Sequence, residues 1–319
     1  MSNGPWHLIL NGKNANDETV RDAVGALRER GRRIAVRVTW EQGDAHRYTL
    51  EAIAAGASAV VAAGGDGTLH HVCNALAGTG LDAGALPAVA VLPLGTANDF
   101  ARAAGIPEEP EEALDLVDRV PARPVDLVRV IPQRGRERWC VNVVTAGFAT
   151  RITTDTPPEL KKLLGGAAYF LTGMTRMGSV RAAHGRLRGP DFEWAGDFLV
   201  LAVGNGRQAG GGQALTPEAR LDDGVFDLML LPPPPEGEFA AALGALLRHG
   251  RAALLDAAVR RRLTWLEIEA EEGLSLNLDG EPLQASRLRI EAARGRLRMH
   301  LPAATPLLPD GEGSGRGAG

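Results

Sequence analysis

The stretch AAGGDGTLHHV (62–72) places Gly64, Gly65, Asp66, Gly67 and Thr68 between an apolar run and a segment of helical period. Such a turn makes a phosphate cradle. Glycines let backbone N–H groups approach an anion closely, and the following helix adds the partial positive charge of its N-terminus. Two chemical tasks are open to Asp66: orienting a magnesium ion on the phosphates, or taking a proton from an attacking hydroxyl. The plainer alternative is a tight strand–helix turn with Asp66 as its cap. VLPLGTANDFARAAGIP (91–107) repeats the pattern with Gly95, Thr96, Asn98 and Asp99, where Thr96 is the candidate cap. VTWEQGDA (38–45) sets Thr39, Gly43 and Asp44 after another strand. In an open α/β sheet, ligands bind outside the carboxyl ends of the strands, so these loops can line one crevice, and their repetition favours a nucleotide.

The elements that must position these loops alternate short apolar runs with helical periods from Trp6 to about Ala122, the pattern of a doubly wound α/β domain. LILN (8–11), Ile34 to Val38, SAVVAA (58–63) and AVAVL (88–92) read as its strands. Asp17 caps a helix whose Val20, Val24 and Leu27 share one face, and Asp44 caps another through Ile53. Further helices are expected near 68–77, 97–104 and 110–120. After PARPVD (121–126) the texture changes to closely spaced strands with polar turns: LVRVI (127–131), WCVNVV (139–144), FLVLAV (198–203), FDLMLL (226–231), LTWLEIEA (263–270) and LSLNL (274–278). These predict a mostly antiparallel second domain, interrupted by helices around 158–176 and 236–249. The expected division is residues 1–125, residues 126–308 and a disordered tail, 309–319.

Composition narrows the function. With 35 Lys and Arg against 39 Asp and Glu, the 319-residue chain carries a net charge of -4, which argues against a general nucleic-acid binder. Cys73 and Cys140 make neither a disulfide framework nor a Cys-x-x-Cys pair, so a reducing cytoplasm fits best. No apolar run approaches the roughly 20 residues of a spanning helix. Lys13, Lys161 and Lys162 are the only lysines, and none closes a G-x-x-x-x-G-K-[ST] loop, so a P-loop nucleotidase is excluded.

Together with ILNGK (9–13), GFATRITTDTP (147–157), VGNGRQAGGGQ (203–213), DDG (222–224) and LNLDGEPL (276–283), the three loops resemble the diacylglycerol kinase catalytic-domain family, above all its soluble bacterial lipid kinases. The resemblance implies an N-terminal α/β domain, doubly wound and like those of NAD kinase and diacylglycerol kinase, and a C-terminal mostly antiparallel β-sandwich. It implies ATP held by Gly65, Asp66, Gly67, Thr68, Leu69, His70 and His71, with Thr39 and Thr96 completing the site. It also implies a structural or allosteric Mg²⁺ or Ca²⁺ site in the second domain, formed by the Asp223 carboxylate and the carbonyls of Arg220 and Val225. Glu281 matches the proton acceptor. Its residues alone read as the solvated tip of a hairpin turning at Asp279-Gly280, and Asp66 remains a rival base. Many relatives carry Asn-Glu where this chain has His70 and His71, and two adjacent helical histidines point about 100° apart, poorly placed to share one metal.

The implied activity is an ATP-dependent lipid kinase of phospholipid metabolism, with phosphatidylglycerol as acceptor. The rivals are an NAD kinase, which shares GGDGT, and a regulatory protein that binds lipid or nucleotide without turnover. Arg207 is the candidate for steadying charge. Approach to the membrane is expected to be transient and peripheral. From Arg151 to Gly189 the chain carries seven basic and two acidic residues with Leu163, Leu164, Tyr169, Phe170 and Leu171, and basic side chains contribute about 1 kcal/mol each near an anionic leaflet.

Overall fold

The computed structural model describes residues 4–147 and 182–308, apart from positions 236, 239, 240, 242, 243, 246, 247 and 250. The helix expected around 158–176, most of the basic 151–189 segment and the tail lie outside the described residues, as does part of the 236–249 helix. The chain forms two compact units. One comprises 1–126, 220–223 and 295–319, the other 127–219 and 224–294. The first unit is therefore not one continuous stretch, unlike the sequence-based division: the end of the last strand returns to it, with Met299 parallel to Val89.

In the first unit, β1 (Trp6–Leu10), β2 (Ile34–Val38), β3 (Ala59–Gly64) and β4 (Ala88–Pro93) form a parallel sheet in the order β4-β3-β1-β2. Every residue of β1, β3 and β4 is buried, as a parallel sheet covered on both faces requires. Helix α1 (Glu18–Glu29) starts at Asp17, whose carboxylate accepts the amides of Thr19 and Val20. Its Val20, Val24 and Leu27 share a core with Leu8, Val61 and Leu92 and with α5 (Pro110–Arg119). Each such side chain contributes about 1.5–3 kcal/mol on burial. The remaining helices are α2 (Asp44–Ala54) and α3 (Asp66–Ala77), which pack on each other, and α4 (Asp99–Ala104).

Two caps differ from expectation. Gly43, at φ 95°, caps α2, because the Asp44 carboxylate turns back to accept the amides of Trp40 and Glu41 at 2.7 and 3.0 Å. Asn98, at φ 49°, caps α4 in place of Thr96.

The second unit is antiparallel. β7 (Val143–Gly147) lies between β10 (Val200–Gly204) and β15 (Trp265–Leu278), with β13 (Phe226–Leu231) and β14 (Val259–Leu263) beyond β10 and β16 (Glu281–Met299) beyond β15. β8 (Ala183–Gly189) and β9 (Phe192–Phe198) form a hairpin whose β8 also pairs β15, while β5 (Arg123–Pro132) pairs β6 (Arg138–Cys140). The unit also holds a short hairpin, β11 (Gln208–Ala209) with β12 (Gln213–Ala214), and a helix, α6 (Arg251–Ala257). Phe198, Leu201, Phe226, Leu276 and Ile290 belong to the core.

WCVNVV, expected as one strand, is two, broken at Val141 and Asn142. LTWLEIEA from Trp265 onward and LSLNL, expected as two strands, are one, with an irregularity between Glu269 and Leu274, while Leu263 ends β14. The 19-residue β16 was not expected, since arginines and alanines fill much of it and lack the β-branched and aromatic character of most strands.

Candidate functional site

Three sequence-marked loops of the first unit meet at the carboxyl ends of its strands. Gly65 caps α3 without offering a side-chain acceptor, and a Cβ on Gly67 would meet nothing within 4 Å, so the helix start opens onto free space. Gly65 and Gly95 lie back to back: a Cβ on Gly95 would fall 2.5 Å from Gly65 Cα and 2.7 Å from Asn98 Oδ1. The Asn98 amide secures that approach, its Oδ1 accepting from Gly95 N at 2.9 Å and its Nδ2 donating to Gly95 O at 2.8 Å. The Asp66 carboxylate turns neither outward nor onto its own helix. Its Oδ2 accepts from Asp99 N at 3.0 Å and its Oδ1 from Phe100 N at 3.1 Å, so it anchors the start of α4 and ties the GGDGT loop to the LPLGTAND loop. The third loop is tied through Thr39 to the segment after β1, its Oγ1 accepting from Gly12 N at 3.2 Å.

A cavity of about 560 Å³ opens between these loops, within the usual range for small-molecule sites. Thr39, Gly65, Gly67, Thr68, His71 and Thr96 line it, all marked by the sequence. Leu69 and His70 do not: they are 2% and 3% exposed, and the His70 ring lies 3.2 Å from Asn74 Nδ2. The His70 and His71 rings stand edge to face, 75° between planes, one turned inward and one toward the cavity. Gly95 of the second Gly-Thr loop also lines it, as do Asn11 and Lys13, to which the sequence reading gave no site role. The signal was available, since Asn11 follows the end of β1 as Thr39 follows β2. Glycine backbone, hydroxyls, a lysine and a helix N-terminus are donors that suit a nucleotide's phosphates.

The contact between glycines gives a direct test. Gly95→Ala must push the two loops apart, and at least a ten-fold weaker binding of a nucleoside triphosphate is expected in a calorimetric titration. The added methyl would meet backbone at 2.5 Å, so a loss of about 1–3 kcal/mol in stability should accompany the misplaced cradle.

In the second unit, β15 turns into β16 through Asp279 and Gly280, at φ 52° and 104°, which places Glu281 immediately beyond the turn, paired with Leu278. The hairpin is a turn as its residues suggested, but not a loose tip. Asp279 Oδ1 accepts from Cys140 Sγ at 2.9 Å, Asn142 N at 3.0 Å and Val143 N at 3.1 Å, and Oδ2 accepts from Val141 N at 2.8 Å. These amides are what break WCVNVV in two. Burial and the nearby Asp279 carboxylate push the Cys140 thiol pKa up, so it stays a donor.

The same segment holds the glycine-rich loop. Asn205 N and Gly206 N donate to Asn142 O, Asn142 Nδ2 donates to Gln208 O at 2.6 Å, and Asn205 Nδ2 donates to Val141 O at 2.8 Å. Three motifs distant in sequence thus form one polar cluster around Asp279. Arg207 belongs to this loop, its Nε donating to Ala219 O at 3.0 Å.

Of the candidate metal residues, Arg220 and Asp223 fall in the first unit and Val225 in the second. Among the described residues, no group of three or more His, Cys, Asp or Glu is placed to hold a metal. One carboxylate with two carbonyls is a sparser set, though its all-oxygen chemistry suits Mg²⁺ or Ca²⁺. Asp222, next to Asp223 in the chain, has a buried Oδ1 with no hydrogen-bond partner among the described residues, an oxygen that a hard cation would satisfy.

Comparison with known proteins places these features in a family. The diacylglycerol kinase catalytic domain matches residues 5–130, and the YegS C-terminal NAD kinase beta sandwich-like domain matches 142–301. A Stenotrophomonas maltophilia protein named "Probable lipid kinase YegS-like" is 53% identical over 97% of this chain and 99% of its own length. A Pseudomonas aeruginosa protein of the same name is 54% identical over 94% and 95%. A solved Bacillus anthracis structure described as a "putative diacylglycerol kinase" shares the fold, with a TM-score of 0.76 and 24% identity over 94% of this chain and 96% of that one.

Proposed function

The chain belongs to the YegS-like lipid kinases of the diacylglycerol kinase catalytic-domain family, and from that membership we propose that it transfers the γ-phosphate of ATP to a free hydroxyl of a glycerolipid head group, with phosphatidylglycerol as acceptor. The observation that carries the nucleotide half is the cavity where Gly65, Gly67, Gly95 and the open N-terminus of α3 converge at the ends of the parallel strands. That arrangement offers backbone donors and a helix dipole to a polyphosphate, which is what phosphoryl transfer asks of a protein: alignment and charge neutralisation rather than covalent chemistry.

Within this reading the roles divide. Thr39, Thr68 and Thr96 hold the nucleotide with the glycine amides, and His71 lies at the cavity wall. Asp66 is a positioning residue, since each of its oxygens already accepts a backbone amide of α4. That leaves Glu281 as the group that takes the proton from the lipid hydroxyl, on a hairpin whose turn is fastened at four points. Mg²⁺, when bound to the phosphates, would neutralise developing charge. Arg220, Asp223 and Val225 would hold a separate structural cation. No helix among the described residues is long and apolar enough to cross a membrane. On this reading the protein works in the cytoplasm, touching the membrane transiently.

Supplied with Mg-ATP and phosphatidylglycerol vesicles, the protein is expected to release ADP one-for-one with new phosphomonoester in the lipid phase. ADP release with no phosphomonoester in lipid would refute the reading.

A further inference from the structure

The loop between β2 and α2 presents Trp40 with 94% of its surface exposed, although an indole of this size is ordinarily well covered. Val38 and Leu50, 40% and 41% exposed, are also in this stretch of chain, and β2 is the edge strand of the first unit's sheet. The loop is held rather than loose. Asp44 Oδ2 accepts the amides of Trp40 and Glu41, its Oδ1 accepts from Arg47 Nη2 at 2.6 Å, and those amide bonds, with Arg47, draw its pKa down to about 2. Thr39 and Glu41, the residues on either side of Trp40, line the candidate nucleotide cavity, whereas Trp40 itself does not.

We propose that Trp40 is a membrane-interface anchor, a preorganised indole that enters the head-group region of a bilayer and brings the cavity-bearing loop to the surface where the acceptor lipid lies. The proposal deepens the lipid-kinase reading and rests on it. Three observations select a bilayer over other occupants. One indole with two half-exposed aliphatic side chains is far smaller than the roughly 1,200 Å² buried by a stable protein–protein interface. An amphipathic ring with an apolar body and an N–H tip is suited to the membrane–water boundary. A rigid loop loses little freedom on insertion. The arginines of β2 and α2 do not supply the attraction, since Arg47 pairs with Asp44 and Glu51, and Arg37 with Glu51. Binding through this loop should therefore depend only weakly on salt.

The test is co-sedimentation of the full chain with vesicles of phosphatidylcholine and phosphatidylglycerol, comparing wild type, Trp40→Ala and Trp40→Phe. In parallel, ATP-dependent phosphorylation is measured on a detergent-dispersed lipid. Trp40→Ala should partition about ten-fold less, with Trp40→Phe between, while the melting temperature and the activity on dispersed lipid hold. Equal partition of Trp40→Ala and wild type, or no vesicle binding by wild type, overturns the anchor while leaving the kinase reading intact. So does a rise in KM for ATP with unchanged vesicle binding, which would move Trp40 to the nucleotide. A change in sedimentation mass without a change in vesicle binding would assign the indole to a contact between copies and also overturn it. Loss of partition in a protein that phosphorylates no lipid would keep the anchor and refute the kinase.

Discussion

Glu281→Gln should lower kcat for lipid phosphorylation by about 10²- to 10⁴-fold, the usual contribution of a positioned general base, while KM for Mg-ATP changes little. The expectation follows from the division of labour proposed for two carboxylates. Glu281 follows a turn fastened to its own sheet, whereas Asp66 spends both oxygens on the amides of Asp99 and Phe100. Asp66→Asn, by contrast, replaces one of those acceptors with a donor. It should raise KM for Mg-ATP by loosening the link between the two glycine loops, and the acidic limb of the pH–rate profile should persist. In Glu281→Gln that limb should vanish, because the group whose deprotonation it reports is gone. If Asp66→Asn loses the limb and Glu281→Gln keeps it, the two roles are reversed.

The second large effect concerns Asp279. Asp279→Ala removes an acceptor shared by three backbone amides and the Cys140 thiol, and puts alanine at φ 52°. A loss of about 2–5 kcal/mol in unfolding free energy is expected, because amides already turned away from the β-ladder lose their partner. Asp279→Asn separates the charge from the turn, since asparagine tolerates the left-handed conformation and keeps one acceptor. It should cost less, about 1–3 kcal/mol, yet still lower kcat well beyond any change in KM, because Glu281 sits two residues on. Urea denaturation monitored together with kinetics checks both halves. Wild-type kcat in Asp279→Asn would show that the cradle does not position Glu281.

The sequence made the first unit's architecture readable because each strand and helix there carries its own periodicity. Asp17 caps α1 as its spacing implied, and Val20, Val24 and Leu27 are buried together. The loops at the strand ends were equally legible, since Gly-Thr turns after apolar runs mark where a chain reverses at a sheet edge. What the sequence could not show was partnership over distance. Asp66 looked like a cap or a catalytic group, but its partners lie 33 and 34 residues on, at the start of another helix. Asp279 read as a turn residue, which it is. Its four donors lie 136 to 139 residues earlier, inside an apolar run that gave no hint of a break. β16 was overlooked although part of its signal was present: charged residues alternate with the buried Leu288, Ile290, Leu297 and Met299, but few of its residues are β-branched or aromatic.

The central claim, that a lipid hydroxyl receives the γ-phosphate, is tested most directly by offering the purified protein Mg²⁺, γ-labelled ATP and a panel of phosphatidylglycerol, diacylglycerol, ceramide, sphingosine and NAD, followed by extraction and chromatography. The account predicts label in one lipid, phosphatidylglycerol. Label in NAD, or in no acceptor although ATP binds, would contradict it.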